Sequence, residues 1–337
     1  MGKKYRPQVT MKDIALKTGY SVNTVSLTLK GAEAVTEETK AKILKAADEL
    51  GYIGNSVASS MRSGYTKNIA MLVGDVANPY FAQIIKQGVS VLSKRGYNVM
   101  VYNTDERDDF ERKCIRSAIR QNVDGILFCP MSRYDKNINL LLQSRVPFVV
   151  FGGLLEDKRI NMVSLDDVKG GYLATKYLLE QGHRKLVFVN APESALGSIE
   201  RLEGFKQALA EYGIPYQPEN VLEFRFTLQE NNGWEEIKYA LSQRLEYTGV
   251  VAFSDMIAMR LIQLFQSESF RQKKITQADI VGFDNSLQMF PLSVNFPSVS
   301  FSELDMSVVA PQMLLDMLER DIYTPRQIVL DVKLYRH

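Results

Sequence analysis

The sequence contains few of the residues from which metal sites and nucleophilic relays are built. Among its 337 residues there are two histidines, His183 and His337, and two cysteines, Cys114 and Cys129. Zinc sites draw on several His and Cys side chains, and a Ser–His–Asp relay needs a histidine beside its serine. The cysteines form no C-x-x-C motif, so we expect buried free thiols rather than a disulfide. His183 follows a predicted helix, where we expect it to cap the helix end.

Several sequence signatures of enzymes and of exported proteins are also missing. The chain has no G-x-S-x-G, no G-x-x-x-x-G-K-[ST] and no G-x-G-x-x-G motif, so we expect neither catalytic residues nor a nucleotide cofactor. No apolar run approaches the roughly 20 residues that a membrane span requires. The basic N-terminus leads into no apolar stretch before Asp13, which argues against a secretory signal. We therefore expect a cytoplasmic protein that is not an enzyme, has no metal or cofactor and contacts no membrane.

Charge is distributed unevenly along the chain. Residues 1–66 carry ten Lys and Arg against six Asp and Glu, whereas the remainder is slightly acidic and the total charge is +2. A basic segment on an acidic body is typical of a protein that meets a polyanion. A solubilising basic terminus would give the same balance, so charge alone leaves both interpretations open.

Residues 9–50 predict three short helices. Thr10 begins an N-cap pattern, Gly19 can end the first helix, and Ser21 can cap the second. A third helix is expected after Thr36, with acidic residues in its first turn. Two helices joined by a tight glycine turn form a helix-turn-helix unit, whose second helix lies in the major groove of DNA. Any small three-helix bundle would show the same spacing.

The second of these helices carries side chains that suit a DNA groove. Asn23 can pair with adenine through its carboxamide, whereas Val22 and Leu27 can contact thymine methyl groups or exclude bases. Short hydroxyl side chains that suit phosphate contacts stand beside them, at Ser21, Thr24 and Ser26.

Residues 50–68 combine the composition of a linker with an apolar helical pattern. Ser, Gly and Asn are frequent, yet Val57, Ala58 and Met61 recur at helical spacing. Such a segment can become helical on a partner surface, and Met61 could wedge between base steps in a minor groove. A flexible tether with an incidental methionine is the alternative.

The segment VTMKDIALKTGYSVNTVSLTLKG, followed by VTEETKAKILKAADELGYIGNSVASSMRSG, resembles the N-terminal domain of the lac/gal repressor (LacI/GalR) family of bacterial transcription regulators. The shared features include D-I-A, T-V-S, E-E-T-K, E-L-G-Y and the hinge pattern N-x-x-A-x-x-M. The resemblance implies that Val22, Asn23 and Leu27 read bases, although Leu27 replaces the arginine or histidine that is often found there. It also implies a hinge helix over 55–62 with DNA-contacting positions Asn55, Ala58 and Met61.

From Ile69 onward, apolar β-branched runs alternate with amphipathic helical patterns. Runs of this kind indicate parallel sheets that are covered by helices on both faces. The alternation occurs once before Asp166 and again after it, which predicts two doubly wound lobes with a cleft at the carboxyl ends of their strands. Gly170 and Gly171 begin one of these helices, where close helix packing is a better explanation than an anion site.

These α/β segments resemble the effector domain of the same family, which has the fold of periplasmic sugar-binding proteins. The resemblance is carried by DVANPYF (75–81), by residues 164–189, and by SIERLEGF (198–205), AFSDMIA (252–258) and IVGFDN (280–285). It implies an effector pocket lined by Asn78, Tyr80, Phe81, Arg201, Ser254 and Asp284, with Phe226 and Phe301 as further walls. Aromatic rings can stack on a pyranose, and the charged pair can form bidentate hydrogen bonds with hydroxyls.

Two departures from the family pattern remove polar anchors from the expected pocket. Gly152 and Gly153 stand where sugar-binding relatives often carry Asp or Asp-Arg, and Ser254 stands where many carry Asn. We therefore assign no particular sugar, and a phosphorylated ligand, an oligomeric ligand or a protein corepressor remains open.

The predicted organisation has three parts: a helix-turn-helix domain, a hinge or linker, and an effector-binding and dimerisation domain, over residues 1–54, 55–66 and 67–337. Within the last part, we expect an N-lobe at about 67–163 and 292–305 and a C-lobe at about 164–291 and 306–337. The segment RQIVLDVKLY is expected to be one closing strand, and Pro311 to kink a helix or mark its start. No apolar heptad that could form a tetramerising coiled coil follows, so we expect a homodimer.

Taken together, these patterns predict a repressor of carbohydrate-utilisation genes that binds a pseudopalindromic operator in double-stranded DNA. A small effector, a sugar or sugar derivative bound between the lobes, would control it allosterically. The alternative is a solute-binding receptor of a transport system, which leaves residues 1–66 without a role. A sugar-active enzyme ranks third, because the chain lacks a convincing nucleophile or acid/base pair.

Overall fold

The computed structural model describes residues 9–54, 64–134, 136–223, 233–243, 246–270, 274–276, 279–286, 295–301 and 305–336. The chain forms two compact units, Met1–Thr66 and Lys67–His337. Within the described ranges, no helix combines the length and apolar character that crossing a bilayer would need.

The first unit is a bundle of the three predicted helices, α1 (Met11–Thr18), α2 (Val22–Leu29) and α3 (Glu37–Leu50). Each helix contributes one fully buried side chain to a shared core, and these are Ile14, Val25 and Ile43. Because such short helices are marginal alone, this shared core stabilises all three together.

Capping groups set the boundaries of the first two helices as predicted. The Asp13 carboxylate accepts hydrogen bonds from the Thr10 N–H at 2.8 Å and from its hydroxyl at 2.7 Å. Gly19, with φ 76°, ends α1 in the left-handed conformation. The Ser21 hydroxyl then accepts from the Thr24 N–H at 3.0 Å and begins α2.

The second unit consists of two sheets with helices between their strands. In chain order its elements are β1 (Asn68–Val73), α4 (Pro79–Ser93), β2 (Asn98–Asn103), α5 (Asp108–Arg120), β3 (Gly125–Phe128), α6 (Ile138–Ser144), β4 (Phe148–Phe151), β5 (Met162–Leu165), α7 (Asp167–Glu180), β6 (Leu186–Asn190), α8 (Ser198–Glu211), β7 (Val221–Glu223), α9 (Trp234–Gln243), β8 (Gly249–Ala252), α10 (Asp255–Gln266), β9 (Ile280–Phe283), β10 (Ser298–Phe301), α11 (Met306–Arg320), β11 (Gln327–Leu330) and β12 (Val332–Tyr335).

Each sheet has the strand order of a doubly wound lobe. The first sheet has the order β11-β5-β4-β3-β1-β2, and the second has the order β12-β10-β9-β8-β6-β7. Adjacent strands are parallel except for β10 and β12, which are antiparallel. In the first sheet, Ile69 lies opposite both Val99 and Gly125. The predicted fold, two parallel-sheet lobes preceded by a helix-turn-helix unit, is confirmed.

The C-terminal part of the chain distributes its elements between the lobes differently from the prediction. β10 pairs with β9 in the second sheet, so residues 298–301 belong to the C-lobe and not the N-lobe. The following helix α11 packs against α4, β3 and β4 of the N-lobe, although residues 306–337 were expected in the C-lobe. Apolar patterns reveal a strand or helix but not which of two open sheet edges it joins, and this ambiguity caused the error.

The predicted closing strand RQIVLDVKLY is also wrong as a single element. It forms two strands, β11 beside β5 in the first sheet and β12 beside β10 in the second, with Asp331 between them. The polar Asp331 interrupts the apolar run at the point where the chain changes lobes. Pro311 lies inside α11 rather than at its start.

Two helices of the C-lobe approach each other so closely that only glycine fits at their contact. A Cβ atom on Gly171 of α7 would lie 2.0 Å from the Arg201 carbonyl oxygen of α8. A Cβ atom on Gly204 of α8 would lie 1.9 Å from the Val168 carbonyl oxygen of α7. The interpretation of Gly170 and Gly171 as residues for close helix packing is therefore confirmed for Gly171.

Gly171→Ala should destabilise the second unit, because a methyl group would meet backbone that cannot move independently of α8. We expect a loss of about 2 kcal/mol or more in the free energy of unfolding, measured by urea denaturation. Gly170→Ala is the matched control on the same helix, since its methyl group would meet side chains and not backbone, the Phe283 ring at 3.1 Å and Val299 at 3.4 Å. Equal denaturation midpoints for the two variants would contradict this explanation.

Candidate functional site

A cavity of about 170 Å³ lies between the two lobes of the second unit. Residues that follow the carboxyl ends of strands from both sheets line it, as expected for doubly wound folds. The first lobe contributes Gly74, Asn78, Tyr80, Phe81, Glu106, Cys129, Pro130, Met131 and Gly152. The second lobe contributes Ala191, Pro192, Ala195, Leu196, Arg201, Phe253, Ser254, Ile257 and Asp284.

Six of the eight predicted effector-pocket residues are brought together here, namely Asn78, Tyr80, Phe81, Arg201, Ser254 and Asp284. Phe301 does not line the cavity. It lies at the end of β10, and its carbonyl oxygen accepts a hydrogen bond from the Tyr335 hydroxyl at 2.8 Å. The prediction for Phe226 falls outside the residues that the structure describes.

The start of helix α4 places an amide and two aromatic rings beside the cavity. The Asn78 side-chain oxygen accepts from the Tyr80 N–H at 3.0 Å and so caps the helix, with Pro79 at its first position. Tyr80 and Phe81 meet edge to face, with ring centroids 5.1 Å apart. This hydrogen bond fixes the orientation of the Asn78 amide, and the Tyr80 and Phe81 rings both project from the first turn of α4.

Arg201 is a buried cation with a fixed orientation. Its Nε donates to the Asp167 carboxylate at 2.7 Å, and its Nη1 donates to the Phe253 carbonyl oxygen. The guanidinium carbon lies 4.5 Å from the Phe253 ring centroid and 4.2 Å from that of Phe283, close enough for cation–π attraction. None of the described residues pairs with Nη2. Arg201 therefore has a donor that remains available to a ligand.

Asp284 follows strand β9 in an unusual backbone conformation, with φ +96°. Two bonds hold it there: its N–H donates to the Val299 carbonyl oxygen at 2.8 Å, and its carbonyl oxygen accepts from the Ser300 hydroxyl at 3.1 Å. Burial raises the pKa of its carboxyl group to about 6, although the nearby Arg201 charge opposes the shift. Strained residues of this kind cluster at ligand sites, and the carboxylate is available as an acceptor.

Asp255 supports this arrangement, although the sequence patterns did not single it out. Its carboxylate accepts from the Ser298 hydroxyl at 2.6 Å and from the Ser286 N–H at 2.8 Å. Burial, together with the neighbouring Asp284 charge, raises the pKa of Asp255 to about 8. It therefore ties the end of β9 to β10 and α10. The only sequence feature that could have pointed to Asp255 was its position next to Ser254 in AFSDMIA.

Most of the other residues that sequence reasoning missed are apolar and lie in loops. Cys129 and Met131 follow β3, Leu196 precedes α8, and Phe253 follows β8. Loop residues have no periodicity that would reveal a shared direction, so only the fold brings them together. Ser254 also has a structural role, because its hydroxyl caps α10 by accepting from the Ile257 N–H at 3.4 Å.

The histidine and cysteine side chains that the structure describes lie apart from one another or have structural roles. The His183 ring contacts the Thr248 hydroxyl at 3.0 Å and the Asp279 carboxylate at 3.1 Å, whereas its backbone N–H donates to the Leu178 carbonyl oxygen at 3.1 Å and caps the end of α7. Cys114 and Cys129 are free thiols. Over the described ranges, no cluster of His, Cys, Asp and Glu side chains is arranged to hold a metal ion.

A second candidate surface is the exposed edge of α2 in the first unit. Val22 and Asn23 are exposed, whereas Leu27 is half-buried and Val25 is fully buried in the core. Two of the predicted phosphate-binding hydroxyls, those of Ser21 and Thr24, bond each other at 2.8 Å, and Ser26 is half-buried. The predicted positions Asn55, Ala58 and Met61 lie outside the described residues.

Asp284→Asn should change how the stability of the second unit depends on pH. The pKa of Asp284 is higher in the folded state than in the unfolded chain, so its stabilising contribution is full below about pH 4. That contribution is lost as pH rises through 6. Between pH 4 and 7 the parent should lose up to roughly 3 kcal/mol of unfolding free energy relative to the variant.

Thermal and urea unfolding between pH 4 and 7.5 would measure this difference. Asp321→Asn is the control, because Asp321 also has positive φ (54°) but is exposed at the end of α11. A pH-independent difference between the parent and Asp284→Asn would contradict a raised pKa at this position.

Each of the two units matches a family of known proteins. Residues 10–55 match the family described as "Bacterial regulatory proteins, lacI family". Residues 66–309 match the family described as "Periplasmic binding proteins and sugar binding domain of LacI family". Together these matches cover the helix-turn-helix unit and most of the two-lobed unit.

Individual relatives match over most of the chain. The HTH-type transcriptional regulator RegA of Clostridium saccharobutylicum is 29% identical over 329 residues, 96% of this chain and 97% of its own. The HTH-type transcriptional repressor PurR of Vibrio parahaemolyticus is 31% identical over 277 residues, 82% of each chain.

Solved structures with the same fold include the transcriptional regulator CelR–cellobiose complex, with a TM-score of 0.71 and 25% identity over 97% of this chain and 98% of that chain. The lac repressor dimer bound to operator and the anti-inducer ONPF has a TM-score of 0.79. At 21% identity over 98% of each chain, it shows the fold alone. From the family matches, as the motifs predicted, the chain belongs to the LacI family of bacterial regulatory proteins.

Proposed function

We propose that this protein is a transcription regulator, a repressor of carbohydrate-utilisation genes, whose affinity for an operator is controlled by a sugar. The observation that carries the proposal is the presence, in one chain, of an exposed recognition-type helix and an interlobe cavity with an oriented cation and a carboxylate. Neither a solute receptor nor a sugar-active enzyme would require the helix-turn-helix unit.

Helix α2 supplies the DNA-binding part of the proposal. Asn23 is exposed on the first turn of α2, the part of a recognition helix that reaches base edges in the major groove. Val22 beside it offers a methyl-bearing surface, and Lys30 at the end of the helix suits a phosphate. The excess of basic residues over 1–66 favours the same polyanionic partner.

The cavity supplies the effector-binding part. A sugar hydroxyl that lies near Arg201 and Asp284 could accept from Nη2 and donate to the carboxylate, and both bonds would be charge-assisted. Tyr80 and Phe253 offer aromatic surface to the apolar face of the sugar ring. The relative CelR was solved with cellobiose, which supports a carbohydrate as the ligand class.

We expect the protein to act in the cytoplasm as a homodimer without catalysing a reaction. A twofold dimer presents two copies of α2 to half-sites one helical turn or a multiple of it apart, so its operator is pseudopalindromic. The effector can change DNA affinity only as far as it prefers one lobe arrangement over another. Induction and corepression both satisfy that condition.

Selection of random duplexes on the purified protein, followed by titration in graded salt with a panel of sugars and sugar phosphates, would test the proposal. We expect a pseudopalindrome to be enriched and its affinity to shift with one compound. Enrichment without any response to the panel would support the DNA-binding part and contradict control by a sugar. No enrichment over random DNA would contradict the regulator itself and favour a solute receptor.

Asn23→Ala should relax sequence discrimination because it removes a base-reading carboxamide from the edge of α2. We expect roughly 1–3 kcal/mol less discrimination between the selected operator and a single-base variant, with little change in non-specific affinity. Competition binding to both duplexes would measure it.

Lys30→Ala is the matched control on the same helix. Loss of a phosphate contact should weaken binding to both duplexes about equally and reduce the salt dependence. If Asn23→Ala instead weakens binding to both duplexes equally, as expected for Lys30→Ala, then Asn23 contacts the DNA phosphate backbone and not a base.

A further inference from the structure

One side of the interlobe cavity is apolar, and we call these residues the apolar wall: Cys129, Pro130, Met131, Gly152 and Leu196. The first three follow strand β3, and Gly152 follows the neighbouring strand β4. Leu196 comes from the other lobe, in the loop before α8. The wall is therefore built by adjacent strand ends on one lobe and covered by a side chain from the other.

Glycine at position 153 allows Leu196 to reach the wall. A Cβ atom on Gly153 would lie 2.5 Å from the Leu196 Cβ, so any larger residue would displace this loop. The loop is also held by polar contacts across the lobes. The Arg133 N–H donates to the Ser194 carbonyl oxygen at 3.0 Å, and the Arg133 guanidinium lies 2.5 Å from the Glu200 carboxylate.

The polar side chains of the first lobe lie on a different part of the cavity. Asn78 and Glu106 follow β1 and β2, which lie on the far side of β3 from β4 in the strand order. In the second lobe, Ser254 and Asp284 follow β8 and β9, whereas Leu196 follows β6. Apart from Arg201, which also follows β6 on α8, these hydroxyl-binding groups follow different strands from the residues of the apolar wall.

None of the wall residues carries a charged side chain, although Glu106 of the same cavity is close enough to act on Cys129. Burial, reinforced by the negative charges of Glu111 and Glu106, raises the pKa of the Cys129 thiol well above its ordinary value, so this side chain stays neutral. A ligand hydroxyl that loses its water here would find a thiol as its best side-chain partner on the wall, and an unpaired hydroxyl is costly to bury. A methyl, alkyl or aryl group would lose nothing and would gain contact area.

We propose that the effector is a sugar that carries an apolar substituent, a deoxy carbon or an alkyl or aryl aglycone, which lies against the apolar wall. The inference rests on the proposed sugar-binding function and narrows its ligand class. The hydroxylated edge of the sugar binds to Arg201 and Asp284, and the substituent occupies the space beside Cys129 and Leu196. Where sugar-binding relatives often carry a polar side chain, Gly152 and Gly153 thus leave an apolar surface.

Calorimetric titration of the full chain with matched sugar pairs tests the proposal. The pairs differ by one group: galactose and 6-deoxygalactose, mannose and 6-deoxymannose in both enantiomers, and glucose with its methyl and phenyl glycosides. We expect the less polar member of at least one pair to bind at least tenfold more tightly. Tighter binding of every fully hydroxylated member would overturn the inference and leave the sugar-binding function standing. If no sugar binds, the proposed sugar control fails and this inference fails with it.

Cys129→Ser then tests where the substituent lies, because it adds a hydroxyl group to the wall with little change in volume. We expect it to reduce the preference for the less polar member at least threefold. Cys114→Ser is the matched control, since that half-buried thiol donates to the Asn103 carbonyl oxygen and does not line the cavity. Met131→Gln provides a second wall variant should Cys129→Ser fail to fold. An unchanged preference in a folded wall variant would overturn the placement.

Discussion

The buried ion pair between Arg201 and Asp167 determines the geometry of the interlobe cavity. Removing both charges from water is costly, and further contacts of the Arg201 guanidinium offset part of that cost. One nitrogen of Arg201 bonds to the Phe253 carbonyl oxygen, and two aromatic rings cover the faces of the guanidinium. Asp167 begins α7 and Arg201 lies on α8, so the pair joins the two helices whose glycines allow backbone contact. Helix packing and ligand recognition therefore depend on the same residues.

The first unit is stabilised by a much smaller core than the second. Its helices are eight, eight and fourteen residues long, and their common core is small. Side-chain caps at both short helices satisfy backbone groups that the helices cannot satisfy internally. Burying Val25 while leaving Val22 and Asn23 exposed separates the core face of α2 from the face that meets a partner. A larger core would bury more of the helix and leave less of it to enter a groove.

Much of this structure follows from local sequence patterns. The caps at Thr10 and Ser21 and the glycine stop at Gly19 are local, so the three helices could be predicted with their boundaries. Buried parallel strands are also recognisable, as apolar runs rich in β-branched residues. Six of the eight expected pocket residues met in space because each follows, or lies in a helix after, a recognisable strand.

What could not be predicted depends on contacts between distant segments. Which sheet β10, α11 and β11 join is decided by open edges and packing surfaces that no local pattern encodes. Leu196 reaches the cavity only because Gly153, more than forty residues earlier, has no side chain there. Asp255 is an ordinary helix-start aspartate in the sequence, and its role depends on hydroxyl groups from Ser286 and Ser298.

The exchange of strands between lobes also determines the order in which the chain can fold during synthesis. The helix-turn-helix unit is continuous in sequence and has a core of its own, so it can fold soon after it leaves the ribosome. The N-lobe sheet, by contrast, includes β11, and the C-lobe sheet includes β12. Both sheets therefore lack one of their edge strands until the segment around Asp331 has been made. The DNA-binding unit is finished long before the unit that is to control it.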